Sequence, residues 1–454
     1  MKNETTIPEE LKKRVLEKIR PDASERTRLL AVQVELAEKV NRAAETLGIK
    51  AVFAKMVGSA ARGTWLSGTH DIDIFISFPE ETSRADLEKK GMAVAREVAK
   101  TASRIEDRHA EHPYLNIIYK GFDIDLVPCF RVASTSSLKS AVDRTPFHNE
   151  FVKKRIKGLE AEVLLLKQFM RGSGVYGSEL KTRGFSGYLT ELLVINYGSF
   201  ENTLKAAASW SPGEFIDLEA HASLSHPDPL VMVDPTDPKR NVAAALSLDK
   251  FCLFMASCRA FLKDPTFEAF FPVPVKPLTE AEISEKIKAR QSAQLALSFK
   301  TPDVVEDVLF PQLYKSEQAA VTLLEEYEFS HLKSGVWAGK TKTIILLELI
   351  SNKLPKVKKH IGPPVWLSSN AEKFRAKYEK KEDVFSFYIE KGRYVAEIKR
   401  KYPEAATLLK AKFPDCPLGK HIGKSVRQGF EVLENEELLR LEDPGFRIFL
   451  KKWL

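Results

Sequence analysis

Long hydrophobic runs are missing from this chain. The longest apolar stretches, such as Thr343 to Ile350, are far too short to cross a bilayer, and Met1 to Arg20 is charged throughout, unlike a targeting segment. A cytoplasmic protein with no membrane partner is the expectation. Cysteine is scarce too. Cys129, Cys252, Cys258 and Cys416 form no CxxC pair and no metal spacing, which argues against a disulfide framework and a zinc site. Internal repeats and low-complexity segments are lacking. What remains is an ordinary globular composition, 44% hydrophobic and 29% charged, spread over 454 residues. That length exceeds what one hydrophobic core usually supports, so two to four domains are expected.

Charge is unevenly placed. From His331 onward 26 Lys and Arg stand against 15 Asp and Glu, a balance of +11 in a chain whose net charge is +8, so the preceding part is slightly acidic. A basic C-terminal region suggests a polyanion held mainly by one end. A solvated Lys-rich surface would carry the same charge without a partner.

Periodicity orders the rest. Leu29, Val32, Leu36, Val40 and Leu47 mark one helical face that stops at Gly48. Strands follow at Ala51 to Val57, Ile72 to Phe78, Leu115 to Tyr119 and Phe122 to Val127, the last two joined by a Lys120-Gly121 turn, with a helix from Ser83 to Thr101 between the two groups. This α/β unit ends near Thr145. Helical spacing resumes at Val152, Ile156, Leu159, Val163, Leu166 and Met170, and again at Tyr188, Leu192 and Ile195. The prolines of Phe271 to Val275 mark a linker. Beyond it, Leu295 to Phe299, Tyr314 to Tyr327, Ser330 to Val336 and Thr343 to Leu349 suggest β-α-β-β, followed by a basic segment with weak signals.

The stretch Val57 to Phe78, "VGSAARGTWLSGTHDIDIFISF", concentrates the chemistry. In a strand, Asp71 and Asp73 project from one face while Ile72, Ile74 and Ile76 enter the core. Two adjacent carboxylates repel unless a divalent cation sits between them, and hard oxygen donors suit Mg²⁺. The small residues of the Gly58-Ser59 turn let backbone N–H groups and the Ser59 hydroxyl approach phosphate oxygens, and Arg62 adds a positive fork. A second strand, Phe122 to Val127, repeats the alternation and supplies Asp125. Singly, a D-x-D at a strand end is more often a solvated edge. The G-S, D-x-D and later-strand acid together resemble the polymerase β-like nucleotidyltransferases.

Further stretches narrow the resemblance. "DIDLVPCF", "SAVDRTPFHNEFV", "GVYGSELKTRGFSGYLTELL", "VMVDPTDPKRNVAAALS", "FKTPDVVEDVLFPQL" and "PLGKHIGKSVRQGFEVL" are similar to the archaeal, class I CCA-adding tRNA nucleotidyltransferases over the whole chain. The resemblance implies an α+β, multidomain fold. Its parts would be a polymerase β-like head (1–145), a helical nucleotide-binding neck (146–270), an RRM-like body (271–355) and a basic tRNA-binding tail (356–454). It implies template-independent addition of C, C and A to the tRNA 3′ end from CTP and ATP, with pyrophosphate released, and it suggests a homodimer. Asp71, Asp73 and Asp125 would be catalytic and hold two Mg²⁺ ions, although the family often has Glu where this chain has Asp71. Ser59, Arg62, His148, Lys167 and Tyr176 resemble triphosphate contacts, Thr145 a residue near the sugar, and Arg240 the base reader. Read without the family, His148 is a helix cap, Lys167 a snorkelling lysine, Tyr176 a packed ring, and Arg240 surface charge in a turn formed by Asp234 and Asp237. Other polymerase β-like transferases, such as poly(A) polymerase or oligoadenylate synthetase, are the alternative enzymes. An RNA-binding protein on a degenerate transferase fold is the alternative of another class.

Overall fold

The proline-rich linker is where the molecule divides. The computed structural model describes residues 6–109 and 111–454 and falls into two compact units, Met1–Val273 and Pro274–Leu454. No helix among the described residues is long and apolar enough to cross a membrane.

The first unit opens with α1 (Glu9–Ile19) and α2 (Ala23–Thr46). The start of α2 is set by a capping box, in which Asp22 accepts from the Glu25 N–H at 2.7 Å and Glu25 accepts from the Asp22 N–H at 3.1 Å. Leu29, Val32, Leu36 and Val40 of its predicted face are buried. A sheet follows from β1 (Phe53–Val57), the short α3 (Gly58–Arg62), β2 (Asp71–Pro79), α4 (Arg84–Ala99), β3 (Arg104–His109), β4 (Pro113–Tyr119) and β5 (Phe122–Arg131). Its order is β1-β2-β5-β4-β3, with β2 and β5 parallel and the other pairs antiparallel. Ile72, Ile74, Ile76, Ile124 and Leu126 enter one core with α2 and α4, which leaves the aspartates of β2 and β5 on the opposite face. Strand β3 was not expected. It is a charged edge strand, "RIEDRH", stabilised by backbone pairing to β4, and so it lacks apolar alternation.

The predicted run from Val152 to Met170 is two helices, α5 (Thr145–Arg155) and α6 (Glu160–Gly172), because the chain turns through Gly158 at φ +88. Then come α7 (Gly187–Tyr197), α8 (Phe200–Ala207), β6 (Glu214–Ile216), β7 (Leu230–Asp234), β8 (Asp237–Asn241) and α9 (Leu248–Lys263). The "DPKRN" expected as a turn is itself β8, antiparallel to β7. Leu11, Val15 and Ile19 of α1 share the core of α6 to α9, so the N-terminal helix packs with the segment expected as the neck. An amphipathic stripe says that a helix is covered, not by which core.

The second unit runs α10 (Glu280–Arg290), β9 (Ala293–Lys300), α11 (Glu306–Glu326), β10 (His331–Ala338), β11 (Lys342–Leu349), β12 (Val357–Pro364), α12 (Ser368–Tyr378), β13 (Val384–Glu390), β14 (Arg393–Lys399), α13 (Ala405–Lys412), α14 (Lys420–Gln428), β15 (Phe430–Glu434) and α15 (Pro444–Trp453). The expected β-α-β-β is present, in a sheet ordered β10-β11-β9-β15. Its fourth strand comes from the segment expected as a separate tail: β15 pairs with β9 from Phe430↔Phe299 to Glu434↔Leu295. Leu409, Phe413, Ile422 and Val426 fill the same core. Only β12, α12, β13 and β14, with their own sheet, stand apart as an insertion. Its ends are joined by Leu354 N–H to Pro403 O at 2.8 Å and Arg400 N–H to Lys356 O at 2.7 Å.

Candidate active site

Parallel register places the carboxylates. Asp71 lies opposite Asp123, and Asp73 opposite Asp125, so four aspartates occupy one face of two neighbouring strands. Burial is the first cause that lifts the Asp73 carboxyl to about 6, with Asp125 and Asp71 adding repulsion and Arg62 opposing it. Asp71 and Asp125 are raised as well, again chiefly by burial. Asn116 of β4, 1% exposed, steadies the group by donating from Nδ2 to Asp125 Oδ1 at 2.8 Å and to Asp123 Oδ1. Glycine at position 58 is required here. With φ at +77, a Cβ would stand 1.9 Å from Asp73 Oδ2. Among the described residues no three His, Cys, Asp or Glu side chains form a closed metal-binding group. The donor set nevertheless fits a divalent cation: it consists of hard oxygens on one face, with neighbouring aspartates adding to the rise of Asp71, Asp73 and Asp125, and an excess of negative charge.

A cationic group adjoins it. Glu191 of α7, fully buried, pairs with Arg62 through Nε at 3.1 Å and Nη2 at 2.8 Å, accepts from the Thr64 hydroxyl, and stands 3.8 Å from Lys167 Nζ. Lys167 also donates to Thr64 O at 2.8 Å. Burial is the main reason its ammonium drops to about 8, with Glu191 resisting the fall and Arg62 and Arg171 assisting it. Tyr176 is carried by a tight loop in which Gly177 N–H donates to Phe185 O and Phe185 N–H to Val175 O, both at 2.8 Å. A Cβ on Gly187 would lie 3.1 Å from the Tyr176 hydroxyl and 3.8 Å from Lys167 Nζ, so the two polar ends flank one glycine. Burial pushes the Tyr176 phenol up to about 12.

From Arg62 the network continues to the predicted base reader. Arg62 Nη1 donates to Asn149 Oδ1 at 3.1 Å. Next to Asn149, His148 stacks on Tyr188 with ring centres 4.2 Å apart and places Nε2 2.7 Å from Asp234 Oδ2. Asp234, fully buried, also accepts from Arg240 Nη1 at 2.8 Å and from Thr236 N–H and hydroxyl at 3.0 and 2.9 Å. Burial works against its charge, but His148, Thr236 and Arg240 outweigh it and hold the carboxyl well below the usual range. Arg240 lines a cleft of 890 Å³ with Arg144, Ser178 and Lys239.

The structure therefore brings Asp71, Asp73, Asp125, Arg62, Lys167, Tyr176, His148 and Arg240 into one contiguous set. Ser59 follows Gly58 in α3, and Thr145 opens α5 three residues before His148. Neither hydroxyl is hydrogen-bonded to the other candidates among the described residues. Sequence reasoning missed the buried acids that hold the cations, Glu191 and Asp234, together with Asn116. Glu191 left a signal, since a carboxylate inside the apolar run "YLTELLVI" must find a partner.

Paired carboxylates on one face of a sheet beside a buried cationic group suit the chemistry of a nucleotidyltransferase. Comparison with known proteins agrees. Residues 37–148 match a nucleotidyltransferase domain, 161–271 the second domain of tRNA nucleotidyltransferase, and 290–435 the C-terminal domain of the CCA-adding enzyme. The last match spans body, insertion and β15. A CCA-adding enzyme of Methanosarcina acetivorans is 66% identical over the full length of both chains. That of Methanoregula boonei is 40% identical, covering 94% of this chain and 92% of its own, and that of Archaeoglobus fulgidus 37%, covering 95% and 96%. This chain belongs to the CCA-adding enzyme family of tRNA nucleotidyltransferases.

Proposed function

We propose that the site rebuilds the tRNA 3′ end by adding C, C and A from CTP and ATP without a nucleic-acid template. The observation that carries the reading is the face shared by Asp71, Asp73 and Asp125 beside the Glu191-organised cations. Asp71, Asp73 and Asp125 would hold divalent metal, taken as Mg²⁺ from their all-oxygen chemistry. When bound, the metal supplies Lewis-acid activation of the primer hydroxyl and charge neutralisation at the α-phosphate. The tRNA 3′-oxygen forms a bond to the α-phosphorus, and the bond to the β-phosphate oxygen breaks to release pyrophosphate. Arg62, Lys167, Tyr176 and His148 bind the triphosphate, with Ser59 approaching from the Gly58 turn and Thr145 near the sugar. Gly58 leaves Asp73 room to approach. Arg240, held by Asp234, offers its remaining guanidinium donors to the base. The four-part division of labour, with the basic C-terminal half on the tRNA acceptor arm, belongs to the same reading. So do a cytoplasmic setting and, from the family resemblance, a homodimer.

The test is incubation of Asp73→Ala with Mg²⁺, tRNA lacking its end, and each labelled nucleotide in turn. Loss of both C and A incorporation with tRNA binding intact is expected; more than a few per cent of wild-type incorporation refutes the assignment.

A further inference from the structure

The basic groups of the candidate site described so far each face a buried acid. Arg62 and Lys167 share Glu191, and His148 and Arg240 share Asp234. Arg171 is different. It lies four residues after Lys167 on α6, so the two side chains leave the same side of the helix, Lys167 from its buried part and Arg171 from its exposed last turn. Just beyond, the chain reverses. Gly174, at φ +68, donates its N–H to Arg171 O at 3.0 Å, and the N–H groups of Val175 and Tyr176 both donate to Met170 O, at 2.9 and 3.2 Å. The reversal carries the Tyr176 ring back to Arg171, whose guanidinium carbon stands 5.3 Å from the ring centre. No carboxylate pairs with this guanidinium and none of its N–H donors is hydrogen-bonded among the described residues.

Its charge is felt on both sides of the site. Burial and then Asp123 raise the Asp71 carboxyl, and Arg171 is the first charge to oppose them. Burial raises the Tyr176 phenol, and Arg171 again leads the opposition. A cation without a partner among the described residues therefore acts on the aspartate face and on Tyr176 from an exposed position. We propose that Arg171 receives the β- and γ-phosphates of the incoming nucleotide and holds them as they depart as pyrophosphate. Within the nucleotidyl-transfer reading, on which this role rests, the tRNA 3′-oxygen bonds to the α-phosphorus and its proton passes to solvent. The electron pair of the breaking P–O bond goes to the bridging oxygen, which becomes a new oxyanion on the pyrophosphate. Arg62 and Lys167 already share one carboxylate. The unmatched, planar guanidinium of Arg171 can make two parallel N–H···O bonds to the added charge.

Arg171→Ala and Arg171→Lys in the full chain, with Mg²⁺ present, test this. Equilibrium dialysis of labelled CTP and CMP, and inhibition of C addition by inorganic pyrophosphate, supply the readouts. In Arg171→Ala the CTP dissociation constant and the pyrophosphate inhibition constant should each rise about tenfold, the scale of one charged hydrogen bond. CMP binding, affinity for tRNA lacking its end, and the melting point should hold. Arg171→Lys should recover part of the loss, because it keeps the charge without the planar fork. A pyrophosphate constant within twofold of wild type, an equal loss for CMP, or a loss of tRNA affinity overturns the proposal. A wild type that adds neither C nor A overturns the nucleotidyl-transfer reading, and this role with it.

Discussion

Removing the charge of Glu191 probes the proposed triphosphate-binding group. Glu191→Gln preserves shape and one acceptor for Thr64, but it leaves Arg62 cationic in a site where its side chain is only 7% exposed. Breaking a buried pair from one side costs about 3–5 kcal/mol, and the retained acceptor argues for about 3. For a unit of this size that corresponds to a melting point lower by roughly 6–12 °C. The functional effect passes through Lys167. Its ammonium already sits at about 8, and Glu191 is the charge that opposes the fall. Without it the amine titrates lower, so fewer molecules carry a cation for the incoming triphosphate at neutral pH. Since kcat/KM reports the free enzyme, the wild-type profile for CTP should bend downward as pH rises through about 8, and in Glu191→Gln the bend should move to lower pH. KM for CTP should rise about tenfold near pH 7.5, equivalent to about 1.4 kcal/mol of binding, with kcat changed less. Differential scanning calorimetry and steady-state kinetics on tRNA lacking its end, from pH 6 to 9, measure both effects. An unmoved alkaline limb together with a KM within twofold of wild type refutes the reasoning.

Three further outcomes are expected. Gly58→Ala sets a methyl 1.9 Å from Asp73 Oδ2 at a φ of +77, so incorporation should fall at least about a hundredfold while the fold, losing about 1–2 kcal/mol of backbone comfort, survives by circular dichroism; near-normal turnover contradicts the close approach. Arg240→Ala leaves Asp234 and the base each without a guanidinium donor, and the preference for CTP over UTP should drop about tenfold or more on the scale of about 1–3 kcal/mol per unpaired buried group; an equal loss for every nucleotide assigns Arg240 to phosphate or structure. Replacing the insertion between Leu354 and Pro403 with a short turn joins ends that already hydrogen-bond, so the melting point should hold while tRNA affinity falls and the slope of log K against log salt drops by about one per lost phosphate contact; unchanged affinity makes those lysines solubilising surface. Cutting the chain at Leu354 is not equivalent, because it also removes β15 and the core residues Leu409, Phe413 and Ile422.

The local pattern of apolar and charged residues was enough for the catalytic strands. Alternation in "DIDIFISF" and "FDIDLVP" dictates which side chains face the core, since a strand has only two faces, and the parallel pairing of β2 and β5 then aligns the aspartates that alternation had already put on one side. Gly58, the α2 stop at Gly48 and the proline linker were legible for the same reason: each acts through its own backbone. What tertiary structure alone decided is partnership over long sequence distance. Glu191 meets Arg62 across 129 residues, and Asp234 meets His148 across 86. Nothing in a turn-forming "VDPTDP" says that its first aspartate is buried beneath an arginine and a histidine. Likewise, α1 joins a core begun at Val152, and β15 completes a sheet whose first strand lies more than a hundred residues earlier. A hydrophobic stripe or a buried charge specifies that it needs cover; only the packed chain specifies what covers it.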